Sequence, residues 1–375
     1  MKEGWTYKKL GEVCEILDSQ RKPITKNKRE SGSIPYYGAT GCLDYVKDYI
    51  FDEKLVLLGE DGAKWDAGEN SAYIIEGKSW VNNHAHALRP KRDIILDEIL
   101  VYYLNFANLQ PFITGVTVPK LNQEKMRSID IPIYPISEQQ RIFSRLDSAF
   151  AHIDERKANA EKQLSEARAL FQKALTKAME PKEGWEEKTI GELTDSCLGK
   201  MLDKHKNKGE LKPYLRNLNV RWDGFDLDDI LEMRFEEGED DRYGIKEGDL
   251  IICEGGEPGR CAIWSNQIAN MKIQKALHRV RSKGEIENRF LLFSIMLYSK
   301  NGFLDNYESG ATIKHLTGEA LKRIPISFPP LTEQQRIVSR LDSLSAHVRE
   351  LEDVLQKTIA ECDALKQALL RKVFE

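Results

Sequence analysis

Two loops rich in lysine and arginine carry the residues best suited to bind phosphate. Residues 19–29 (SQRKPITKNKR) contain the basic side chains Arg21, Lys22, Lys26, Lys28 and Arg29. Residues 200–212 contain Lys200, Lys204, His205, Lys206, Lys208 and Lys212. Ammonium and guanidinium groups neutralise phosphates, which makes such binding salt-dependent. We predict that Lys26, Lys28, Lys206 and Lys208 contact phosphate; the alternative is a pair of solvated charged loops.

Polar and aromatic side chains follow each basic loop, in residues 34–40 (IPYYGAT) and 212–222 (KPYLRNLNVRW). Such side chains can read base edges, since Asn pairs with adenine and Arg with guanine. Our candidates near the bases are Tyr36, Tyr37 and Lys64 in the first half of the chain, and Arg216, Asn217 and Arg221 in the second. For any single residue, a structural turn explains the pattern equally well.

The sequence contains no recognisable catalytic motif. It has neither a G-x-x-x-x-G-K-[ST] nucleotide loop nor a G-x-S-x-G elbow. The run LLGEDG at residues 57–62 lacks G-x-G-x-x-G spacing, so we interpret it as a turn. His84 and His86 form an H-x-H pair without a third ligand at recognisable spacing, which favours surface or hydrogen-bonding histidines over a metal site. We predict no catalytic residue, no metal site and no cofactor in this chain.

These motifs lie in a sequence that repeats itself. EGWTYKKLGE at residues 3–12 recurs as EGWEEKTIGE at residues 183–192, a shift of 180. ISEQQRIFSRLDS at residues 136–148 recurs as LTEQQRIVSRLDS at residues 331–343, a shift of 195. The chain is therefore two copies of one module with matching ends and diverged middles. The basic loops occupy matching places in the two copies.

A third matching segment adds two candidate residues. TGVTVPKLN at residues 114–122 is echoed by SGATIKHLT at residues 309–317. Each contains a G-x-T motif followed by a lysine, Lys120 or Lys314. We add both lysines to the candidates for DNA contact.

Each copy ends in a predicted helix of about 40 residues without an internal Gly or Pro. Ser137 and Gln140 are the expected capping pair of the first helix, and Thr332 and Gln335 those of the second. In the second helix a 4-3 apolar spacing includes Ile337, Leu341, Leu344, Val348, Leu351, Val354, Leu355, Cys362, Leu365, Leu369 and Val373. In the first, it includes Ile142, Leu146, Ala149, Ile153, Ala160, Leu164, Ala167, Phe171 and Ala174, with one expected stutter. These narrow seams indicate a coiled coil; the alternative is that each helix lies on its own globule.

Chain order makes the pairing of these helices antiparallel, because the second must start where the first ends and return. The predicted divisions are two globular domains, residues 1–134 and 181–329, and two spacer helices, residues 135–180 and 330–375. The fold class is thus mixed α+β, with two globular α/β domains joined by two long antiparallel coiled-coil helices in an internal pseudo-two-fold repeat. A helix of 40 residues spans ~60 Å, enough to hold two globules one or two turns of duplex DNA apart.

Composition fits this organisation. A length of 375 residues predicts two or three globular units. The chain has 56 basic and 60 acidic residues, a net charge of −4. This excludes bulk attraction to nucleic acid, so any binding must come from local basic patches. No apolar run reaches the ~20 residues of a membrane span. The six cysteines are scattered without a C-x-x-C pair, which favours a reducing cytoplasm.

The repeated segments resemble the conserved regions of type I restriction–modification specificity (S) subunits. The resemblance rests on the doubled P-[IL]-[ST]-E-Q-Q-R-I-x-S-R-L-D openings, each followed by a long helix. It includes the W-x-x-x-x-[LI]-G-E starts and the G-x-T-x-x-x-L segments, at Trp5, Trp185, Gly115, Thr117, Leu121, Gly310, Thr312 and Leu316. It covers the frame of the whole chain, whereas the diverged middles cannot be matched.

The resemblance implies a non-catalytic subunit whose two target-recognition domains each read half of a split, asymmetric target in double-stranded DNA, with the helices setting the gap. It also implies two modification (methyltransferase) subunits that bind S-adenosylmethionine, and restriction (endonuclease) subunits that use ATP and Mg. We expect Glu138, Arg141, Glu333 and Arg336 to dock the modification subunits. The alternatives are a scaffold whose two globules bind proteins, and a nuclease with an unrecognised active site.

Overall fold

The computed structural model describes residues 4–115, 117–203, 206–310 and 314–375. The chain forms two compact units: unit 1 contains residues 1–162 and 355–375, and unit 2 contains residues 163–354. Each unit therefore consists of one globule together with parts of both long helices. Among the described residues, no helix is both long and apolar enough to cross a bilayer.

The first copy alternates short strands and helices before its long helix. Its elements are β1 (Thr6–Lys9), α1 (Leu10–Val13), β2 (Cys14–Ile16), β3 (Ser31–Gly38), β4 (Gly41–Val46), β5 (Phe51–Asp52), β6 (Leu55–Gly59), β7 (Ala72–Ile75), β8 (Lys78–Val81), β9 (Ala85–Pro90), α2 (Asp97–Phe106), α3 (Gln123–Arg127), β10 (Asp130–Ile133) and α4 (Ile136–Ala178). The basic loop of this copy lies between β2 and β3.

The second copy follows the same plan with additional short strands in its middle. Its elements are β11 (Glu186–Thr189), α5 (Ile190–Leu193), β12 (Thr194–Leu198), β13 (Glu210–Leu215), β14 (Val220–Arg221), β15 (Gly224–Phe225), β16 (Leu231–Phe235), α6 (Asp240–Tyr243), β17 (Leu250–Cys253), β18 (Cys261–Ile263), β19 (Lys272–Ile273), β20 (Leu277–Ser282), α7 (Asn288–Lys300), α8 (Gly318–Lys322), β21 (Pro325–Phe328) and α9 (Leu331–Phe374). Its basic loop lies between β12 and β13, the matching place.

The sheets of the two copies have matching topology. The strand order β2-β9-β6-β7 in the first copy corresponds to β12-β20-β17-β18 in the second. The order β4-β3-β8 corresponds to β16-β13-β19, and the pairings β3–β8 and β13–β19 are parallel. β1 pairs with β10, and β11 with β21, so the two ends of each repeat close on each other. The predicted internal repeat is thereby confirmed at the level of strand pairing.

Each globule has its own apolar core beneath these sheets. In unit 1, Leu10, Val56 and Leu88 pack with α2 residues such as Ile99. In unit 2, Leu250 and Val280 pack with α7, from which Phe290, Leu291, Leu292 and Phe293 are fully buried. Short apolar runs in the sequence also predict strands at residues 54–58, 72–75 and 249–253, and apolar spacing predicts helices at 97–108 and 288–299. The structure forms β6, β7, β17, α2 and α7 at these places.

The long helices pair in antiparallel fashion within each unit. In unit 1, Lys366 Nζ lies 2.5 Å from Asp154 Oδ1, and Lys157 Nζ lies 2.7 Å from Asp363 Oδ1. In unit 2, Arg168 Nε lies 2.7 Å from Glu352 Oε1. The helix ends also pack on the globules: Leu175 of α4 lies in the core of unit 2. Both alternatives for the helices, mutual pairing and packing on a globule, are therefore realised along different parts of their length.

The seam residues of α4 agree with the prediction and those of α9 agree in part. Leu146, Ile153, Ala160 and Ala167 are buried at an uninterrupted spacing of seven, so no stutter breaks this row. In α9, Leu351, Val354 and Leu365 are exposed by 42%, 57% and 50%. The assignments of Leu351 and Leu365 were wrong, because a two-helix pair buries only a narrow strip and its flanking positions face solvent. At the position shared by Val354 and Leu355, Leu355 is the buried residue.

Candidate nucleic-acid interface

The first basic loop contains two anchored arginines and three exposed lysines, Lys22, Lys26 and Lys28. Arg21 Nη1 lies 2.6 Å from Glu60 Oε2, and its other nitrogen lies 3.3 Å from Asp18. Arg29 binds Asp44 at 2.9 Å. Lys26 and Lys28 lie on a one-turn helix between these anchors, are exposed, and make no ion pair within the described part of the chain. The loop thus presents its two central lysines to solvent.

The second basic loop is built in the same way. Lys200 is 8% exposed and binds Glu239 Oε2 at 2.5 Å, and Lys212 binds Asp240 at 3.2 Å. Between them, Lys208 is exposed and Lys206, with 85% of its side chain in solvent, lies only within 3.8 Å of Asp203. Lys204 and His205 lie outside the described residues. In both copies, the lysines that we assigned to phosphate are exposed, and Arg21, Arg29, Lys200 and Lys212 near the ends of the loops bind carboxylates.

The two tyrosines of the first globule differ in exposure. Tyr36 is 1% exposed, and its hydroxyl accepts a hydrogen bond from Ile24 N at 3.0 Å. Its assignment to the bases was wrong, because the ring lies in the core and ties down the basic loop. Tyr37, the next residue, is half-buried, with its ring centroid 6.0 Å from that of Tyr73, and burial raises its pKa. Tyr37 keeps an accessible edge and stays a candidate.

In the second globule, the candidate arginines also differ in their role. Arg216 is held by Asp229, whose Oδ2 lies 2.8 Å from Nη2, and its side chain is only 15% exposed. Its guanidinium closes the loop, which weakens this assignment. Arg221 is about half exposed and binds Asp226 at 2.9 Å, so it is oriented but accessible. Asn217 is half-buried, and its backbone carbonyl accepts a hydrogen bond from Arg260 at 2.8 Å, which holds the segment in place.

The two ends of each G-x-T segment are joined by a β-bridge, Thr114 to Lys120 in the first copy and Ser309 to His315 in the second. Thr312 lies outside the described residues. Lys120 Nζ lies 2.7 Å from Glu60 Oε1. Lys314 binds Asp305 at 2.8 Å and Glu308 at 3.0 Å. Both lysines are already neutralised, which weakens their prediction as phosphate contacts.

Lys64 completes the candidates of the first globule. It lies in the segment that follows the LLGEDG turn, where Gly62 has the positive φ of +72° that a tight turn favours. Its side chain is 77% exposed, with Nζ 3.6 Å from Glu69 Oε1. The turn interpretation of LLGEDG holds only for its second half, because Leu57, Leu58 and Gly59 end β6 and the chain bends after them. Lys64 stays a candidate near the bases.

A buried ionic cluster joins the loops of the first globule. His86 is fully buried, with Nδ1 2.6 Å from Asp18 Oδ2 and Nε2 2.7 Å from the Leu121 carbonyl. Both neighbours are acceptors, so both ring nitrogens donate, as an imidazolium does. Glu60 lies 3.7 Å from the same ring. Asp18 adjoins the basic loop, Glu60 directly follows β6, and Leu121 ends the G-x-T segment. This cluster therefore holds three surface segments of the first globule together.

The pKa values of this cluster reflect its charge balance. Burial opposes ionisation of Asp18, but hydrogen bonding and the charge of His86 outweigh it and lower the pKa of Asp18 below 3.8. Burial likewise opposes ionisation of Glu60, whereas hydrogen bonds from Lys120 and Arg21 lower its pKa below 4.5. Ligand atoms of Asp18, Glu60 and His86 lie within 4.8 Å of one another. Since both carboxylates already bind cationic side chains, the geometry is that of an ion-pair network.

The H-x-H pair is thereby explained. His84 is hydrogen-bonded to Asp61 and half exposed, and His86 is the buried centre of the ionic cluster. The interpretation of both as hydrogen-bonding histidines is confirmed. In the second globule, His278 takes the place of His86, with Nε2 2.9 Å from the Leu316 carbonyl. Burial lowers the pKa of His278 below 6.5, which favours the neutral ring there.

The architecture matches a known protein family in both repeats. The sequence profile of the type I restriction modification DNA specificity domain matches residues 2–165 and 182–361, which together make up most of the chain. The chain belongs to this family. One specificity domain thus corresponds to each copy of the repeat.

Related proteins match this chain over most of their length. A putative type I restriction enzyme specificity subunit of Haemophilus influenzae is 29% identical over 95% of this chain and 91% of its own length. The EcoKI specificity subunit of Escherichia coli is 23% identical over 99% of this chain and 85% of its own length. A solved chain of a type I restriction–modification system, 18% identical, covers all of this chain and 98% of itself with a TM-score of 0.73. The HsdS subunit of Thermoanaerobacter tengcongensis gives 0.52 at 19% identity, covering 100% of this chain and 97% of itself.

The family's repeated E-Q-Q-R segment places a buried glutamine at the start of each long helix. Gln139 Oε1 accepts a hydrogen bond from Leu96 N at 2.9 Å, while Nε2 donates to Ile94 O and Tyr134 O, both at 2.8 Å. Gln334 makes the matching bonds to Glu287 N at 2.9 Å, Glu285 O at 3.0 Å and Pro329 O at 2.8 Å. These glutamines fix each globule to the helix that leaves it, a role that our sequence reasoning missed. The sequence signal for this role was that two adjacent glutamines recur in both copies, although helix capping would need only one of them.

The capping prediction for these helices was wrong. The helices begin at Ile136 and Leu331, so Ser137 and Thr332 lie inside the first turn. The carbonyl of Pro135 accepts the first helical hydrogen bond, from Glu138 N at 2.9 Å, and Pro330 does the same for Glu333. Pro135 and Pro330, rather than Ser137 and Thr332, are therefore the residues directly before the helices.

The charged residues of the same segment pair with each other on the surface. Arg141 Nη2 lies 2.6 Å from Glu138 Oε1, and Arg336 Nη2 lies 2.7 Å from Glu333 Oε1. Both pairs join residues three apart on an exposed helix face, where solvent screening leaves an ion pair little net stabilisation. This weak stabilisation does not explain why the same charged pair occurs in both copies. The role of these four residues in docking partner subunits stays a prediction.

Proposed function

We propose that this chain is the DNA-recognition subunit of a type I restriction–modification system and that it reads a bipartite, asymmetric target. The observation that carries this proposal is the matched pair of basic loops, each with exposed lysines held between anchored cations. The membership of the chain in the specificity family supports it. Each globule reads one half-site, and the long helices set the gap between the half-sites.

Recognition divides between phosphate contacts and base contacts. Lys26, Lys28, Lys206 and Lys208 bind phosphates and set the register of each globule on the duplex. Tyr37 and Lys64 in the first globule, and Asn217 and Arg221 in the second, read the bases from segments that internal bonds hold in place. Because the two sets differ in chemistry, the half-sites differ and the target lacks two-fold symmetry.

The chain works in a larger complex and performs no catalysis itself. Two modification subunits dock on the long helices, bind S-adenosylmethionine and methylate adenine, and restriction subunits use ATP and Mg. The helix surface of unit 2 supports such docking with a groove of about 540 Å³. Its cationic lining consists of Lys173, Lys177, Lys182, Arg336 and Arg340. The chain then acts in the cytoplasm, where its DNA substrate lies.

A salt titration of duplex binding tests the phosphate assignment. The affinity of the full chain for DNA should fall steeply with salt, with a slope of about −0.9 per phosphate contacted. Replacing Lys206 and Lys208 by Ala should reduce that slope by about 2 and weaken binding on every sequence. Lys322→Ala, an exposed lysine outside the basic loops, serves as the control.

The same experiment separates the proposal from its alternative. A scaffold that binds proteins through apolar anchors would show little salt dependence. An unchanged slope in the double variant would show that these lysines do not contact phosphate. Retention of weak binding with an altered slope would support the assignment.

A further inference from the structure

An ion-pair network joins the second globule to the side of α9. Arg289 of α7 donates from both terminal nitrogens to Asp223 and from Nε to Asp342 Oδ1 of α9, at 2.7 Å. Arg349 of α9, two turns further along, donates from Nη2 to Asp223 Oδ2 at 2.6 Å. Two acidic and two basic side chains therefore link the reading domain to its spacer helix.

The centre of this network is shielded from solvent. The side chains of Asp223 and Arg289 are 10% and 21% exposed, whereas those of Asp342 and Arg349 are 38% and 52% exposed. The guanidinium carbon of Arg289 also lies 5.0 Å from the centroid of the Phe293 ring. Shielded charges with two or more partners hold a fixed geometry better than a single exposed pair does.

Asp223 occupies a strained position in the reading segment. It is the turn of the β14–β15 hairpin, with a φ of +58°, and its N–H donates to Cys261 O at 2.9 Å. Asp and Asn tolerate this left-handed conformation better than most residues do. Asn217 and Arg221, the candidates near the bases, lie directly before the turn. The network thus connects the helix to the segment that reads DNA.

The matched positions of the first globule carry a different contact. Leu96 N and Glu287 N each donate to the buried glutamine of their own copy, so these two residues correspond. Two residues further along the chain, Glu98 therefore corresponds to Arg289. Glu98 instead binds Lys54 at 2.6 Å. The first globule meets its helix through aromatic rings: the centroid of Tyr102 lies 5.4 Å from that of Phe150 and 6.4 Å from that of Phe143. The second globule therefore meets its helix through this ionic network at the place where the first globule uses aromatic contacts.

We propose that Asp223, Arg289 and Arg349 are positioning residues that fix the angle of the second globule on α9 and thereby select one gap length. The inference rests on the proposed function, because it requires a split target. One added base pair moves the second half-site by about 3.4 Å along the duplex and turns it by about a tenth of a revolution. A globule fixed to its helix cannot follow this displacement, whereas a loosened globule can.

Two substitutions test the network without touching the candidate DNA contacts. Asp223→Asn keeps the shape and the left-handed turn but removes the charge. Arg349→Ala removes the exposed partner on α9 and leaves the globule intact, so it serves if Asp223→Asn fails to fold. Lys322→Ala is the matched control, since it breaks an exposed ion pair of the same globule, with Glu319 at 3.4 Å, that does not involve α9.

The measurement is the affinity of the full chain for duplexes that differ only in gap length. We expect the unmodified chain and Lys322→Ala to prefer the natural gap over gaps one base pair longer or shorter. Asp223→Asn and Arg349→Ala should lower this preference at least fivefold, while affinity for a duplex with only the second half-site changes less than twofold. Unchanged preference in both variants overturns the inference alone. An unmodified chain without any gap preference overturns the proposed function as well.

Discussion

The matched histidines of the two globules, His86 and His278, lie in different electrostatic surroundings. Each donates from Nε2 to the backbone carbonyl of the leucine that ends the G-x-T segment, at 2.7 Å and 2.9 Å. His86 also binds Asp18 within a cluster that includes Arg21 and Lys120, whereas burial alone dominates the pKa of His278. The hydrogen bond from Nε2 to the backbone carbonyl is thus common to both copies, whereas the ion-pair cluster around Asp18 is specific to the first.

The contacts between globule and helix show the same division. Gln139 and Gln334 make matching bonds in the two copies, although the surrounding contact is aromatic in the first and ionic in the second. The module therefore preserves the bonds that orient its backbone and varies the side chains around them. This lets the DNA-reading surface change without loss of the frame.

The buried glutamines should give the largest effects. Gln139→Ala leaves one N–H and two carbonyls without their partner in a buried place, and each such group costs about 1–3 kcal/mol. We expect a loss of about 3 kcal/mol or more, of similar size for Gln334→Ala, since the bonds match. Hydrogen exchange, resolved by region, reports the opening of each globule separately. Gln140→Ala and Gln335→Ala, at the exposed neighbouring positions, should change little.

The two histidines should differ when each is replaced by Leu. His86→Leu removes the shorter of the two cationic contacts to the buried Asp18 and leaves only Arg21 at 3.3 Å, at a cost of about 3 kcal/mol. His278→Leu removes one hydrogen bond from a carbonyl, at a cost of about 1 kcal/mol. Exchange rates in the first and second globules measure the two losses. Equal losses would contradict the ionic role that we assign to His86.

Mild acid should weaken the second globule through His278. Its folded pKa lies below the ordinary 6.5, so the unfolded chain binds the proton more readily, and stability falls as the pH drops below about 6.5. The carboxylates of the first globule have folded pKa values below their ordinary 3.8 and 4.5, so their contribution is lost only when the pH drops below about 4.5. Exchange measured at pH 7 and pH 5.5 should therefore change more in the second globule. His278→Gln should remove most of that difference.

Salt should produce the smallest effect, at the contacts between globule and helix. At 1 M salt the Debye length is about 3 Å, which screens the partly exposed Arg349–Asp223 pair but not the aromatic contact of Tyr102. We expect faster exchange in β14–β15 and the adjoining part of α9, by a factor of about five, and little change in α2. The same response in α2 would show that the two contacts do not differ as described.

The matching ends of the two copies made the shared framework predictable from the sequence, whereas the diverged middle of each copy was less predictable. Strands β6 and β7, helices α2 and α7 and the antiparallel helices followed from apolar spacing and chain order. The choice between Tyr36 and Tyr37, or between Arg216 and Arg221, did not, because it depends on partners elsewhere in the fold. Arg21 binds Glu60, 39 positions away, and no local pattern indicates such a bond. The lysines that we assigned to phosphate are exposed in the structure, and their contact with phosphate stays a prediction.

The most direct test is a map of adenine methylation in the source genome with and without this gene. The account predicts that one split, asymmetric motif loses its methylation when the gene is removed and regains it when the gene is restored. Restoration with Lys26, Lys28, Lys206 and Lys208 all replaced by Ala should fail to recover the motif. An unchanged map in a strain that expresses the gene and its partner subunits would contradict the account.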